Sequence, residues 1–127
     1  MPRKIVQLRH QAFVNQSGFC YYCNRPMWQC SPDIFAQQHH LTLAQSSRFQ
    51  CTAEHLVPRQ SGGPTTRNNI VAACKFCNSK RHARSNELCP TRYKTLVKKR
   101  LAAGRWHPQL PKNRPSRRAD LKGARRE

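Results

Sequence analysis

The sequence predicts a small α+β domain that is held together by a zinc ion rather than by a large hydrophobic core. A chain of 127 residues has room for one compact domain, and cores of this size often need a metal or another cross-link. Two C-x2-C pairs provide four cysteines of the kind that bind zinc. Around the second pair, the pattern predicts a strand, a wide loop, a second strand and a helix.

The individual elements are predicted from the spacing of apolar residues and from turn-forming residues. An amphipathic helix is predicted over residues 2–18, where apolar side chains recur on one stripe. Strands are predicted over 49–57 and 69–74, on either side of a loop rich in Pro, Gly, Ser and Thr. Further helices are predicted over 78–88, ended by proline, and over 91–105.

We divide the chain at residue 90. Residues 1–90 are expected to form the zinc-containing domain, with an insert over 24–50 that shows little periodicity and is either a loop or partly helical. Residues 91–127 are expected to form a basic helix and a disordered tail beyond Trp106. This segment holds 13 of the 24 Lys and Arg residues.

The net charge of the chain points to a polyanionic partner. The 24 Lys and Arg residues face only five Asp and Glu, which gives a formal charge of +19. Nucleic acid is the commonest ligand for such an excess. No apolar run approaches the ~20 residues of a membrane span, and the N-terminus lacks the hydrophobic region of a signal peptide. We therefore expect a cytoplasmic protein without membrane association.

The cysteines predict a closed structural zinc site. The spacing within each pair lets two thiolates bind one ion from a tight turn, and two such turns complete a tetrahedron. The four predicted ligands are Cys20, Cys23, Cys74 and Cys77. Because 50 residues separate the two pairs, ordinary buried cysteines and an iron–sulfur cluster remain as alternatives.

The other cysteines are expected to be small buried apolar residues: Cys30, Cys51 and Cys89. Two alternatives are left open at this point. Cys30 or Cys51 could replace a predicted zinc ligand, and so could the pair His39-His40, which otherwise reads as a solvated part of the insert.

One acidic residue stands out by its position. Glu54 is one of three acids before residue 91, and it is followed by His55 at the end of a predicted strand. A carboxylate in so basic a chain indicates either a hard cation or a specific arginine partner. Taken alone, Glu54 is better explained by a surface ion pair with an arginine than by a cation site.

The stretch AEHLVPRQSGGPTTRNNIVAACKFCNSKR resembles the HNH endonuclease superfamily, in the cysteine-knuckle branch that includes bacterial restriction-type and phage nucleases. His55 precedes Asn69 by 14 positions and Asn78 by 23, which is the spacing of that family's three signature residues. FCYYCNRPM is similar to the family's first knuckle. The matching elements are Glu54-His55, Pro58, Gly62-Gly63, Asn69, the Cys74/Cys77 pair and Asn78.

The resemblance implies a ββα-metal fold (the HNH or His-Me finger) with flanking helices, and it implies hydrolysis of DNA phosphodiester bonds. It implies that Glu54 and Asn78 hold one divalent cation and that His55 is the general base toward water. Asn69 is implied to brace the loop and orient His55. Because neighbouring strand residues point to opposite faces, we expect a local distortion between Glu54 and His55.

The identity of the catalytic cation is left open by the sequence. Carboxylate and amide oxygens favour Mg2+ or Mn2+, whereas histidine ligands favour transition metals. The third signature position is Asn78, where many relatives of the resembled family have His. His82 follows Asn78 by four residues and so lies on the same helix face, either as a further ligand or phosphate contact or as a solvated side chain.

Basic residues of the loop and of the following helix are expected to contact DNA phosphates: Arg59, Arg67, Lys75, Lys80, Arg81 and Arg84. In the resembled family this helix lies along the minor groove. The basic tail is expected to add a sequence-independent attraction that salt weakens. One active site per chain favours nicking, unless two copies pair as a homodimer.

Three other functions are weighed against a nuclease. A non-catalytic zinc module would bind DNA or RNA through its charge, but it would have no need of Glu54, His55 or Asn78. A toxin-like or accessory nuclease held inactive by an acidic protein partner would suit the excess positive charge. A ribosomal-type zinc protein fits least, because the Glu-His pair would have no purpose there. The resemblance places the protein in a bacterial cytoplasm or in a phage genome.

Overall fold

The computed structural model describes residues 3–107, so the predicted tail from residue 108 onward lies outside the described residues. Two single-turn 3-10 helices, Ser47–Phe49 and Arg59–Ser61, accompany the regular elements. These elements, in chain order, are α1 (Arg3–Asn15), α2 (Pro32–His39), α3 (Leu43–Ser46), β1 (Cys51–His55), β2 (Ile70–Cys74), α4 (Lys75–His82) and α5 (Pro90–Ala102). None of the helices between residues 3 and 107 is both long and apolar enough to cross a bilayer.

A two-stranded antiparallel sheet and the helix that follows it form the centre of the protein. The strands β1 and β2 pair one to one from Cys51 opposite Cys74 to His55 opposite Ile70. The helix α4 begins directly after β2 and packs against both strands. This order of strand, strand and helix confirms the predicted small α+β architecture.

A side chain and a backbone amide that precede the sheet in the sequence are hydrogen-bonded to Ala72 of β2. The side chain of Gln16 donates to the Ala72 carbonyl at 2.8 Å and accepts from the Ala72 amide at 2.9 Å. The amide of Tyr21 donates to the same carbonyl at 3.0 Å. The first C-x2-C turn is therefore held beside β2, where the second turn begins.

The hydrophobic core includes the cysteine pairs and residues of α5. Tyr93 and Val97 of α5 have no exposed surface and lie in the same cluster of buried residues as the four predicted zinc ligands. The division predicted at residue 90 thus separates two segments that share one core.

The predicted insert is partly helical and packs against the domain. It contains α2 and α3. Within it, the ring of Phe35 lies 5.6 Å from that of the fully buried Phe49, and Phe49 in turn stacks on His107, outside the insert, with centroids 4.4 Å apart. The backbone of Trp28 accepts from the Cys51 amide at 2.9 Å, which joins the insert to the first residue of β1.

The bounds of α4 and α5 differ from the sequence prediction. The helix α4 begins at Lys75 rather than Asn78, because Cys74 caps it: its sulfur accepts from the Cys77 amide at 3.4 Å. It ends at His82, and residues 83–88 are not helical. Pro90 begins α5 instead of ending the preceding helix, in keeping with the preference of proline for the first turn.

We expect Val97→Ala to lower the free energy of unfolding by about 2 kcal/mol, because it removes two methyl groups from a fully buried site. Thr95→Ala, on the exposed face of the same helix, should change it by less than about 0.5 kcal/mol. Urea unfolding of the zinc-loaded protein measures both. Equal effects of the two substitutions would show that α5 is not part of the core.

Candidate metal centre and active-site cavity

The two C-x2-C pairs come together in one buried cluster. The sulfur atoms of Cys20, Cys23, Cys74 and Cys77 all lie within 4.8 Å of one another. With Zn–S bonds of about 2.3 Å, the edges of a tetrahedral site are about 3.8 Å long. The sulfurs of Cys23 and Cys74 are 3.9 Å apart. The predicted pairing of the knuckles is confirmed, and the residues fit a single zinc ion.

Backbone amides surround this cluster with donors. The amides of Tyr22 and Cys74 donate to the sulfur of Cys20 at 3.4 and 3.3 Å, and the Cys77 amide donates to Cys74. N–H groups that point at sulfur stabilise the thiolate form that a metal requires. The backbone of these turns therefore favours the thiolate form of the cysteines, which is the form that binds a cation.

Two residues near the end of the described chain also reach the sulfurs. The indole of Trp106 donates to Cys77 at 3.2 Å, and Nε2 of His107 lies 3.0 Å from the sulfur of Cys74. His107 is buried and stacks on Phe49 with ring centroids 4.4 Å apart. Burial lowers the pKa of His107 to about 4, so its ring is neutral at neutral pH. The expectation that ordered structure stops at Trp106 is therefore wrong for His107. No local pattern indicated this contact, since its partner lies 33 residues away.

The remaining cysteines lie outside the cluster. Cys51 is buried as expected, and burial raises its pKa to about 11, which keeps the thiol protonated. Cys30 and Cys89 are exposed, so the expectation that they are buried is wrong. The cluster also contains neither residue of the His39-His40 pair.

A separate open cavity of about 400 Å³ lies at the end of β1, between α4 and the loop that joins the strands. It brings together Glu54, His55, Asn78 and His82, all of which the sequence analysis selected. The complete lining is Ala53, Glu54, His55, Pro58, Arg59, Gln60, Asn78 and His82. Asn69 is not among the lining residues, and its side chain is hydrogen-bonded to the loop backbone at Val57 and Pro64.

Glu54 is buried, with 1% of its surface exposed, and both of its oxygens are hydrogen-bonded. Oε2 accepts from the hydroxyl of Tyr22 and from Arg81, each at 2.8 Å. Oε1 lies 2.8 Å from Nε2 of His82. The arginine partner considered for Glu54 is therefore present, but the ion pair is in the interior and not at the surface.

Arg81 is the clearest departure from the sequence prediction. It was expected to contact DNA, yet it is 1% exposed, and its guanidinium donates to Glu54 and to the carbonyls of Leu56 and Leu88. Burial disfavours its charge, but the hydrogen bond and the charge of Glu54 outweigh that effect and raise the pKa of Arg81. Helical spacing is the sequence signal that could have predicted the burial of Arg81, because Arg81 follows the buried Cys77 by four residues and so lies on the same helix face.

Tyr22 is a further residue that sequence reasoning missed. It lies between the first two cysteines, is 3% exposed, and turns its hydroxyl toward Glu54. Burial, together with the charge of Glu54, raises the pKa of Tyr22 far above its ordinary value, so the hydroxyl remains a neutral donor. Nothing in the local sequence links Tyr22 to a carboxylate 32 positions away.

His55 faces the loop rather than α4. Its Nε2 lies 3.0 Å from the hydroxyl of Thr65 and accepts from Nε of Arg59 at 3.4 Å. Burial, followed by the charge of Arg59, lowers the pKa of His55 and favours the neutral imidazole. The expected distortion is absent from β1, since Glu54 and His55 pair regularly with β2. Both side chains reach the cavity because it opens at the end of the strand, between the helix and the loop.

Asn78 and His82 occupy one face of α4. Nδ2 of Asn78 donates to the Thr52 hydroxyl at 3.0 Å and to the Ala53 carbonyl at 3.3 Å. Because a carbonyl can only accept, the nitrogen must face β1, and Oδ1 lies on the other side of the amide. Asn78 is the fourth residue of α4, whose cap is Cys74.

Asn69 joins the two ends of the loop. Its Oδ1 accepts from the Val57 amide at 2.9 Å, while Nδ2 donates to the carbonyls of Val57 and Pro64 at 3.0 and 2.9 Å. Pro64 is followed by Thr65, the hydrogen-bond partner of His55. The loop also requires Gly63, since a Cβ there would lie 1.6 Å from the Val57 carbonyl oxygen.

The other predicted DNA contacts lie on accessible surface. Arg84 is partly exposed, and Lys80 lies 5.4 Å from the ring of Phe76. The exposed residues of this set are Arg59, Arg67, Lys75 and Lys80.

Comparison with known proteins agrees with this geometry. Residues 43–84, about a third of the chain, match the family model described as HNH endonuclease. This region contains β1, β2, α4 and the whole lining of the cavity. The resemblance predicted from the sequence is thereby confirmed for this region. No curated protein matches the chain.

We expect Cys74→Ser to lose zinc and to unfold, even when the protein is purified without chelator. Structural zinc contributes about 10 kcal/mol or more to folding, which is comparable to the whole stability of a small domain. Cys51→Ala, a buried cysteine outside the cluster, should keep one zinc per chain. Metal analysis and circular dichroism measure both outcomes. A folded, zinc-replete Cys74→Ser protein would contradict a structural role for this cluster.

Proposed function

We propose that this chain, which carries an HNH endonuclease domain over residues 43–84, hydrolyses phosphodiester bonds of DNA with one divalent cation. The observation that carries the proposal is the single cavity that gathers Glu54, His55, Asn78 and His82. A non-catalytic binding module has no use for a buried carboxylate beside a neutral histidine.

The cation would be held by oxygen atoms that face the cavity. Glu54 offers Oε1, since Oε2 is occupied by interior donors, and Asn78 offers Oδ1. Such a cation supplies stabilisation of negative charge on the scissile phosphate and on the leaving oxygen. Hard oxygen ligands favour Mg2+ or Mn2+. Nε2 of His82 donates to Oε1, because a carboxylate oxygen only accepts, so His82 would add affinity for a transition metal only after Nε2 loses that proton.

His55 is proposed as the general base toward the attacking water. Arg59 can only donate, so Nε2 of His55 must be the acceptor and carries no proton. The proton of the water would pass to this atom. The lowered pKa of His55 keeps the accepting form present at neutral pH.

Asn69 is proposed to act through the loop and not on the substrate. It ties Val57 to Pro64, and the next residue, Thr65, is hydrogen-bonded to His55. The position of the imidazole thus depends on the three hydrogen bonds of Asn69.

Phosphate contacts are proposed for the exposed cations around the cavity, namely Arg59, Arg67, Lys75 and Lys80, with Arg84 at their edge. Residues 1–90 would carry the chemistry, while 91–127 would add charge. A single active site of this kind per chain would make nicking the expected outcome. A homodimer would allow cleavage of both strands, and an acidic protein could compete with DNA for the basic surface.

We expect His55→Ala to lower the rate of plasmid cleavage by about 10² to 10⁴-fold, because the water loses its base. DNA binding and zinc content should stay unchanged. The assay incubates supercoiled plasmid with wild type, His55→Ala and His40→Ala in EDTA, Mg2+ or Mn2+, at low and moderate salt. His40 is exposed and lies outside the cavity, so its variant should cleave normally.

Two results would contradict the nuclease. Retardation of the plasmid by every protein without any cleavage would favour a binding module. Cleavage that His55→Ala leaves intact would show that another group is the base.

We expect Asn69→Ala to lower the free energy of unfolding by about 2 kcal/mol, because the Val57 amide loses its acceptor in a partly buried site. Displacement of His55 should lower kcat by about 100-fold with little change in DNA affinity. Asn68→Ala, at the exposed neighbouring position, is the matched control. An unchanged kcat in Asn69→Ala would exclude the bracing role.

A further inference from the structure

We propose that Tyr22, inside the first zinc knuckle, is a positioning residue that holds Glu54 in the orientation needed to bind the divalent cation. The knuckle would thereby connect the structural metal centre to the cavity. This inference rests on the proposed function, because it assigns a role toward the cation of that same site.

The position of Tyr22 is set by the metal cluster. It lies between Cys20 and Cys23, and its amide donates to the sulfur of Cys20 at 3.4 Å. Its side chain places the hydroxyl 2.8 Å from Oε2 of Glu54. One residue therefore contacts a predicted zinc ligand with its backbone and the cavity carboxylate with its side chain.

The contact selects which oxygen of Glu54 faces the cavity. Tyr22 and Arg81 both donate to Oε2, whereas Oε1 contacts His82, which lines the cavity. Rotation about the terminal bond of a glutamate costs little, so an unrestrained carboxylate would sample several orientations. Two buried donors on one oxygen remove this freedom. Oε1, whose contact is His82 of the cavity lining, is then the oxygen that a cation can reach.

The ring of Tyr22 is held independently of its hydroxyl. It packs edge-on against Tyr93, with centroids 4.8 Å apart, and it is 3% exposed. A phenylalanine would keep this packing. The hydroxyl can therefore be removed without disturbing the knuckle, and Arg81 still compensates the charge of Glu54.

The structure offers a matched control in Tyr93. This tyrosine is also buried in the same aromatic cluster, but its hydroxyl donates to the Cys77 carbonyl at 2.6 Å rather than to Glu54. Both substitutions by phenylalanine remove one buried hydroxyl next to a knuckle. Only Tyr22→Phe removes a hydrogen bond to the carboxylate.

The experiment measures Mn2+ binding by the zinc-loaded full chain, from the electron paramagnetic resonance signal of free Mn2+. We expect Tyr22→Phe to weaken Mn2+ binding by about tenfold or more, as is typical when a residue that orients a metal ligand is lost. Tyr93→Phe should bind Mn2+ like wild type. All three proteins should contain one zinc per chain. In plasmid cleavage, Tyr22→Phe should need more Mn2+ for half-maximal rate and should regain most of kcat at saturation.

Each other outcome overturns the inference. Equal Mn2+ affinity in Tyr22→Phe and wild type would show that the hydroxyl does not position Glu54. Equal weakening in both variants would assign the effect to loosening of the aromatic cluster, and loss of zinc in Tyr22→Phe would assign it to the knuckle. Absence of Mn2+ binding by wild type would contradict the proposed function as well, so the two failures can be told apart.

Discussion

The buried ion pair between Arg81 and Glu54 connects the strand, the helix and the first knuckle around the candidate site. Glu54 belongs to β1 and Arg81 to α4, and Tyr22 brings the first knuckle to the same carboxylate oxygen. Neither charge can be removed singly at low cost, because an unpaired buried ion is destabilising by about 3–5 kcal/mol. The guanidinium also satisfies carbonyls at Leu56 and Leu88, so the same contact fixes the chain on either side of the cavity.

Short segments of chain connect the cysteine cluster to the cavity. Cys74 ends β2 and caps α4, and Cys77 begins the helical face that continues to Arg81. A zinc ion at the cluster would therefore hold the start of the helix that carries Asn78 and His82. The aromatic residues around it, including Trp106 and the stacked pair of Phe49 and His107, exclude water from the sulfurs. In this small core, metal ligation and aromatic packing replace much of the aliphatic burial that larger domains use.

Much of the fold was predictable because its signals are local. The apolar run of β2, the turn residues of the loop and the cysteine spacing each depend on near neighbours in the sequence, and the two strands formed within the expected ranges. The wrong predictions have different causes. The start of α4 is predicted at Asn78 because cysteine is not among the residues that usually cap a helix, so Cys74 gave no capping signal. His107 was assigned to the tail because its partners, Phe49 and Cys74, are distant in sequence.

The sequence by itself determined the set of reactive groups: four cysteines in two pairs, a Glu-His dipeptide, and asparagines at 14 and 23 positions beyond the histidine. Residue type and spacing suffice for this, because metal preference and acid–base chemistry belong to the side chains. Only the tertiary structure decided what each group faces. Arg81 turned inward and Lys80, its neighbour, outward, since residues one apart on a helix point in different directions and only packing decides which face is buried. The same packing brought the hydroxyl of Tyr22 to Glu54, because a buried hydroxyl and a buried carboxylate are each costly without a hydrogen bond.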